Sequence, residues 1–285
     1  MLVDGLSVAL RALSFVALFQ AAGAALFLAF FGRLLPTTRG AVRRVVAYSA
    51  LVATGLLLTQ YLLEAARMSG EMSGVMDSTL QALVLHSSTA TALAWRLGGL
   101  ALVLIALRLS GTASSVLSMS GVLLAIGAFA FMGHTASHPE RWLSCLLLVA
   151  HLLVVAFWFG ALVPLHLASS REAPMQAATA INTFSAMATW IVPVLLVAGL
   201  ALAALLLPDL AALQTTYGRL LIAKLAGFAL LMGLAALNKL RLGPAVASGD
   251  GRAAAAFRRS LEAEYLLIAG LLSMTAVLTS FYSPD

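Results

Sequence analysis

The sequence predicts an all-α integral membrane protein, built as a bundle of eight transmembrane helices. Of its 285 residues, 62% are hydrophobic and only 10% are charged, whereas soluble domains carry about a quarter charged residues. Apolar runs recur along the whole chain, and about 20 apolar residues are enough to cross a bilayer. Helices are the expected form, because an open sheet in lipid would leave backbone groups without hydrogen bonds.

Eight apolar runs are long enough to be membrane spans. They lie at approximately residues 6–31, 42–66, 80–108, 114–136, 141–167, 177–207, 219–241 and 261–282. The first run is longer than the apolar region of a signal peptide and has no basic segment before it, so we interpret it as a spanning helix. No Pro- or Ser-rich linker divides the chain. We therefore expect residues 1–285 to form a single transmembrane domain.

The basic residues predict the orientation of the bundle. The loops after the first and the seventh run are rich in them: Arg33, Arg39, Arg43 and Arg44, then Lys239, Arg241, Arg252, Arg258 and Arg259. The segment after the second run is acidic, with Glu64, Glu71 and Asp77 against Arg67 alone. Because basic loops stay in the cytoplasm, both termini and this acidic segment are expected to be extracytoplasmic. The net charge of +6 thus reflects membrane topology, and we expect no nucleic-acid partner.

Four of the five histidines are predicted to lie on the outer side. His86 falls early in the third span, and His134 and His138 close the fourth, where their i, i+4 spacing places them on one helix face. His151 lies about nine residues into the fifth span, roughly 13 Å deep. An ionisable group at that depth is costly unless it has a partner, which indicates a function. His166 lies at the inner end of the same span with no partner evident.

Methionines accompany these histidines in an unusual setting. Met68, Met72 and Met76 recur every four residues in the polar stretch "RMSGEMSGVMD", and Met132 stands beside His134. Thioethers are soft ligands that select Cu(I), and imidazole binds copper and zinc. The alternative is that the methionines serve only packing. Taken together, the pattern predicts a copper site made from His86, His134, His138, His151, Met68, Met72, Met76 and Met132. No hydrolytic or redox catalytic set and no phosphate loop is visible, so an enzyme is not expected.

Three cations inside the spans, Arg11, Arg96 and Lys224, do not suit a copper route, because they would repel a copper ion. They could pair with acidic side chains such as Asp4, Glu64 or Asp209. They could also face an anionic group such as a haem propionate. The alternative function is therefore a b-type cytochrome for electron transfer, with haem held between two of His86, His134 and His151 and its propionates meeting Arg11 or Arg96. A structural partner that binds no ligand is a third possibility.

Several segments resemble one known family. "GHTASHP", "HLLVVAFWFGALVPL", "FSAMATWIVPVLLVAGLALA", "TYGRLLIAKLAGFALLMGLAALNKLRLGP" and "RRSLEAEYLLIAGLLSMTAVL" are similar to copper resistance protein D, CopD. The similarity covers residues 130–285 well and the first four spans more loosely. It rests on an ordered polar and glycine series: Gly133, His134, His151, Trp158, Gly160, Phe184, Ser185, Tyr217, Gly218, Lys224, Asn238, Arg259, Ser260, Glu264 and Thr275.

The resemblance implies a multi-pass protein of the bacterial inner membrane with eight spans and both termini in the periplasm. It also implies copper homeostasis or resistance, with copper moved from the periplasm to the cytoplasm. Family members often work with a periplasmic copper-binding protein, CopC, which is sometimes fused to them. Here such a partner is expected to be a separate protein. The eight spans and the orientation expected from the charged loops agree with this family.

Overall fold

The computed structural model describes residues 2–132, 139–207 and 211–282, and this part of the chain is predominantly helical. The α-helices are α1 (Leu2–Phe31), α2 (Arg39–Ser69), α3 (Ser78–Leu85), α4 (Ser88–Ala106), α5 (Gly111–Gly127), α6 (Arg141–Arg171), α7 (Pro174–Leu206), α8 (Thr216–Leu237), α9 (Gly243–Ala247) and α10 (Gly251–Phe281). Eight helical segments in these ranges are long and apolar enough to cross a membrane. The predicted all-α membrane fold is thus confirmed.

The span predicted at 80–108 is divided into two helices. The short helix α3 ends at Leu85, and α4 begins at Ser88. Between them the Ser87 hydroxyl accepts a hydrogen bond from the Thr89 amide at 3.2 Å, which makes Ser87 the N-cap that starts a new helix. Of the two, only α4 is long enough to span a membrane.

Three other helices also have ends that differ from the predicted ones. The span predicted at 114–136 is α-helical only to Gly127 and continues as a 3₁₀ turn to Phe131. The last span, predicted at 261–282, begins at Gly251, because Asp250 caps its first turn and an alanine run continues the helix. The seventh span continues past 241, since a π-helical turn at Asn238–Leu242 joins α8 to α9.

Helix α1 lies at the centre of the bundle, in contact with α2, α5, α6 and α10. It crosses α6 at two glycines: a Cβ built on Gly160 would collide with the backbone of Gly23, and one on Gly23 would collide with the carbonyl of Ala156. At this crossing the Gln20 side-chain amide donates to the Gly160 carbonyl at 3.3 Å. Small residues allow this close backbone approach, which is how helices pack in lipid.

One end of the bundle is held together by Glu172, in the connection between α6 and α7. Its buried carboxylate accepts hydrogen bonds from the Thr37 amide at 3.0 Å, the Thr38 amide at 2.7 Å and the Thr38 hydroxyl at 2.6 Å. Nearby, Arg43 donates to the Leu107 carbonyl, and Arg258 donates to the Ser169 carbonyl at 3.4 Å. The basic loops on which the predicted orientation depends therefore lie at the same end of the bundle.

Glu172→Gln is expected to lower stability and to flatten its pH dependence. Burial alone would raise the pKa of Glu172, but hydrogen bonds from Thr38 and Thr37 outweigh it and hold the pKa below the ordinary value of 4.5. Because the folded-state pKa is the lower one, this stabilisation is complete above the unfolded value and is lost as the pH falls through the folded value. At neutral pH the change should cost about 1.5–3 kcal/mol.

Thermal unfolding in detergent at a series of pH values measures this effect. The parent should lose stability below about pH 4.5 more steeply than Glu172→Gln, and the exposed control Glu71→Gln should follow the parent. Identical pH profiles for parent and Glu172→Gln would contradict the prediction.

Candidate functional site

The methionine segment is fixed to the C-terminal end of α2. Helix α2 ends where Gly70 adopts a positive φ of 79°, and the chain returns as a 3₁₀ helix at Met72–Met76. Gly74 is buried there, and a Cβ added to it would collide with the Ser69 hydroxyl. Val75 packs on a small apolar cluster formed by Val3, Leu63 and Ala66. The segment is therefore a packed part of the surface.

All three predicted capture residues in this segment are exposed. Relative exposure is 55% for Met68, 45% for Met72 and 88% for Met76. A 3₁₀ helix has three residues per turn, so Met72 and Met76, four residues apart, point in different directions. The four-residue spacing thus does not create a single methionine face, but it does leave the thioethers open to solvent.

The predicted histidines are not brought together in the described part of the chain. His86 is exposed at the C-terminal end of α3. His134 and His138 lie outside the described residues, and so does the predicted helix face that they would share. Met132, just before them, is half-buried. Among the described residues, no group of three His, Cys, Asp or Glu side chains is arranged to hold a metal ion. Coordination by the predicted set therefore stays a prediction.

The ring of His151 is oriented by a hydrogen bond to the backbone of the next helix. It is half-buried in α6, and its Nδ1 lies 3.1 Å from the carbonyl oxygen of Leu195 in α7. Since a carbonyl can only accept, Nδ1 carries the proton, and Nε2 of the neutral ring keeps its lone pair. Histidines that bind metals are usually oriented by this kind of hydrogen bond. Gly199 gives the ring room, because a Cβ there would lie 3.2 Å from its Cε1.

A small cavity of about 20 Å³ lies near the C-terminal end of α2, with room for about one water molecule. Its lining includes Arg11, Gln60, Glu64, Thr89, Arg96 and Met132. The cavity thus brings one predicted ligand, Met132, next to two of the span cations. Those positive charges oppose a cation at this position.

The two arginines of this cavity are held by partners other than acidic side chains. The Arg96 guanidinium lies over the Phe129 ring, 4.3 Å from its centroid, and its buried Nε has no hydrogen-bond partner among the described residues. Arg11 donates to the Thr279 carbonyl at 3.2 Å. Glu64 forms its ion pair with Arg67 at 3.0 Å. The cavity is also far smaller than a haem, so the predicted meeting of propionates with Arg11 or Arg96 gains no support.

The expectation that His166 has no partner is wrong. Its Nδ1 lies 3.6 Å from the Glu262 carboxylate of α10. The two residues face an apolar groove between α6 and α10, whose walls include Leu162 and Leu266. They are 96 positions apart, so only the packing of α10 against α6 reveals the pair.

Glu264, Trp158 and Asn238 form a buried polar cluster that the predicted ligand set does not include. Glu264 of α10 is 2% exposed. Its carboxylate accepts from the Trp158 indole of α6 at 3.0 Å and from the Asn238 amide at 2.5 Å. The sequence carried a signal, because Glu264 is the one acidic residue in the run 263–282. The span was predicted to start at residue 261, however, which placed Glu264 in the first turn of the helix. An acidic residue in a first turn gives no indication of a buried site.

The packed apolar helices with buried polar side chains define a multi-pass helical membrane protein. Two family models match: "Copper resistance protein D-like, N-terminal domain" over residues 1–141 and "Copper resistance protein D" over residues 178–278. Copper resistance protein D of Pseudomonas syringae pv. tomato is 30% identical over 302 aligned positions, which cover 97% of each chain. No solved structure matches. The chain belongs to the copper resistance protein D family, and this membership supports a role in copper resistance.

Proposed function

We propose that this protein binds copper at its outer end and transports it across the bacterial inner membrane, from the periplasm to the cytoplasm. The observation that carries the proposal is His151, an imidazole inside the bundle. Its Nδ1 is held by Leu195 at 3.1 Å, and its Nε2 keeps the lone pair that a metal ligand needs. Neutral imidazole suits copper, and family membership supplies the link to copper resistance.

The proposed route begins at the exposed thioethers of Met68, Met72 and Met76. Thioethers exchange Cu(I) readily, whereas imidazoles hold it more tightly, so the ion would pass from the methionines to the histidines at 86, 134, 138 and 151. A separate periplasmic protein of the CopC type would deliver the ion. In this proposal the chain transports copper without consuming ATP, and it catalyses no reaction.

The orientation belongs to the proposal, and reporter fusions test it. The basic loops at one end of the bundle support a cytoplasmic location for that end. A reporter fused at Thr38 or at Gly249 should therefore read as cytoplasmic. A periplasmic signal from either fusion would contradict the orientation, and with it the outer position of the methionine segment.

Copper accumulation in cells or vesicles tests the route through the histidines. His151→Ala should lower copper uptake by about tenfold or more, because it removes a ligand that the bundle has already oriented. His134→Ala should also lower uptake. His166→Ala is the matched control at the opposite end of α6 and should transport as the parent does. Unchanged uptake in both His134→Ala and His151→Ala would refute the route.

The haem alternative has a separate and rapid test. None of the described cavities or contacts favours it, and the absorption spectrum of the purified protein should show no Soret band. A Soret band near full occupancy would overturn the copper assignment and point to electron transfer.

A further inference from the structure

Glu264 is a carboxyl group inside the bundle without a compensating positive charge. No described basic side chain lies within ion-pair distance of it. Three cationic side chains of the neighbouring elements form hydrogen bonds elsewhere: Arg11 of α1 at Thr279, Lys239 of the π-helical turn at Thr189, and Arg258 of α10 at Ser169. Another titratable group, His166 of α6, is paired with Glu262. An unpaired buried carboxylate is costly, which favours the protonated acid.

The short contact between Glu264 and Asn238 is compatible with a protonated acid. The two atoms are 2.5 Å apart, which is short for N–H···O but within the range of O–H···O. The side-chain amide of Asn238 can be flipped, which exchanges the positions of its nitrogen and its oxygen. The acid would then donate to Asn238 Oδ1, a buried atom that otherwise has no partner among the described residues.

The π-helical turn and a neighbouring serine suit such a proton site. Asn238 begins the π-helical turn between α8 and α9, and turns of this kind are frequent at functional sites. The hydroxyl of Ser260, one turn before Glu264 in α10, is also buried with no partner among the described residues. The buried surroundings of Glu264 thus hold two polar atoms, Asn238 Oδ1 and Ser260 Oγ, that have no partner among the described residues.

The proton site lies on the inner side of the proposed copper ligand. Trp158, which holds Glu264, follows His151 by seven residues in α6. Seven residues are nearly two full turns, so the two side chains share one face of α6, about 10 Å apart along its axis. Glu264 is therefore held at the face of α6 that carries His151, about two turns further along the helix.

We propose that Glu264 is a proton-exchange site on the copper route, an inference that rests on the proposed transport function. The O–H bond of the acid breaks as a copper ion arrives beside it, the proton passes to water, and the carboxylate left behind balances the charge of the ion. When the ion leaves, the carboxylate takes a proton back. One positive charge replaces another at each step, so the buried site never holds an unbalanced charge. Protons and copper compete for one carboxyl group.

Cu(I) uptake into proteoliposomes, measured over a range of pH, tests the competition. Uptake by the parent should slow as the pH falls, and Glu264→Gln, which cannot exchange a proton, should lose this pH dependence together with most of its transport. Glu262→Gln is the matched control, two residues away on the exposed side of α10, and should behave as the parent does. Trp158→Phe removes a hydrogen-bond donor that stabilises the carboxylate. The pH at which copper uptake is half-maximal should therefore rise, by on the order of one pH unit.

Infrared difference spectra between acidic and alkaline buffer supply a readout that needs no transport. The parent and Glu262→Gln should show the carbonyl stretch of a buried protonated carboxyl, which Glu264→Gln should lack. If the parent shows this band but transports no copper, the proposed function fails and the proton site stands. If copper uptake is independent of pH, or the band is missing from the parent, the exchange is refuted and transport stands. Should Glu264→Gln fail to fold, the pH shift of Trp158→Phe decides, and its absence refutes the exchange.

Discussion

Gly160→Leu is expected to prevent formation of the folded bundle. At the crossing of α1 and α6, a Cβ on Gly160 would meet the backbone of Gly23 and Ala24. Backbone atoms cannot change rotamer, so the two helices would have to separate. Overpacking of a core by added methylenes usually costs about 1–3 kcal/mol, and a clash with backbone should exceed that range. We expect almost no monodisperse protein after size-exclusion chromatography in detergent.

Gly233→Leu is the matched control for this prediction. Gly233 lies within α8, and no atom within 4 Å would meet a Cβ added there. The control should insert into the membrane and purify as the parent does, because its new side chain finds open space. Equal yields of Gly160→Leu and Gly233→Leu would show that α1 and α6 do not cross at these glycines.

Replacing Met68, Met72 and Met76 together with leucine is expected to weaken Cu(I) binding by about tenfold or more while leaving the fold intact. Leucine matches methionine in size and apolarity but cannot coordinate copper. All three side chains are exposed, so little packing is disturbed. Zn(II) binding at the histidines should survive, because imidazole suits zinc and thioether does not.

A competition titration against a Cu(I) chelator measures this loss. Met175→Leu serves as the control, since Met175 is also exposed, at 73%, but begins α7 at the opposite end of the bundle. It should bind as the parent does. Equal Cu(I) affinities for the parent and the triple variant would end the capture hypothesis.

The eight spans were predictable because hydropathy is a local property of the chain. The boundaries that moved depend on features that hydropathy does not record. The break before α4 comes from capping by Ser87. The early start of α10 comes from capping by Asp250 and from an alanine run whose helix propensity exceeds its hydrophobicity. Termini and caps were therefore the weak part of the fold prediction.

The candidate site was predictable only as separate ligands. The residue types indicated copper, and family membership supports that chemistry. The partner of His151 is a backbone carbonyl 44 positions away, and no side-chain pattern reveals a backbone atom. The contact of Glu264 with Trp158 joins residues 106 positions apart. Both contacts arise from the way α6 packs against α7 and α10, which is a tertiary property.

The division of the third span has a consequence for the shape of the membrane around the protein. Helix α4 has 19 residues, about 28 Å of length, whereas the hydrocarbon core of a bilayer is about 30 Å thick. Its neighbour α2 has 31 residues, about 46 Å, and must tilt or protrude. Helix α4 has no length to spare, so the bilayer must thin beside it or the polar ends must reach outward. The side of α4 that faces the bundle carries Thr89 and Arg96, which line the small cavity together with Met132, so any thinning of the bilayer beside α4 brings this cavity closer to water.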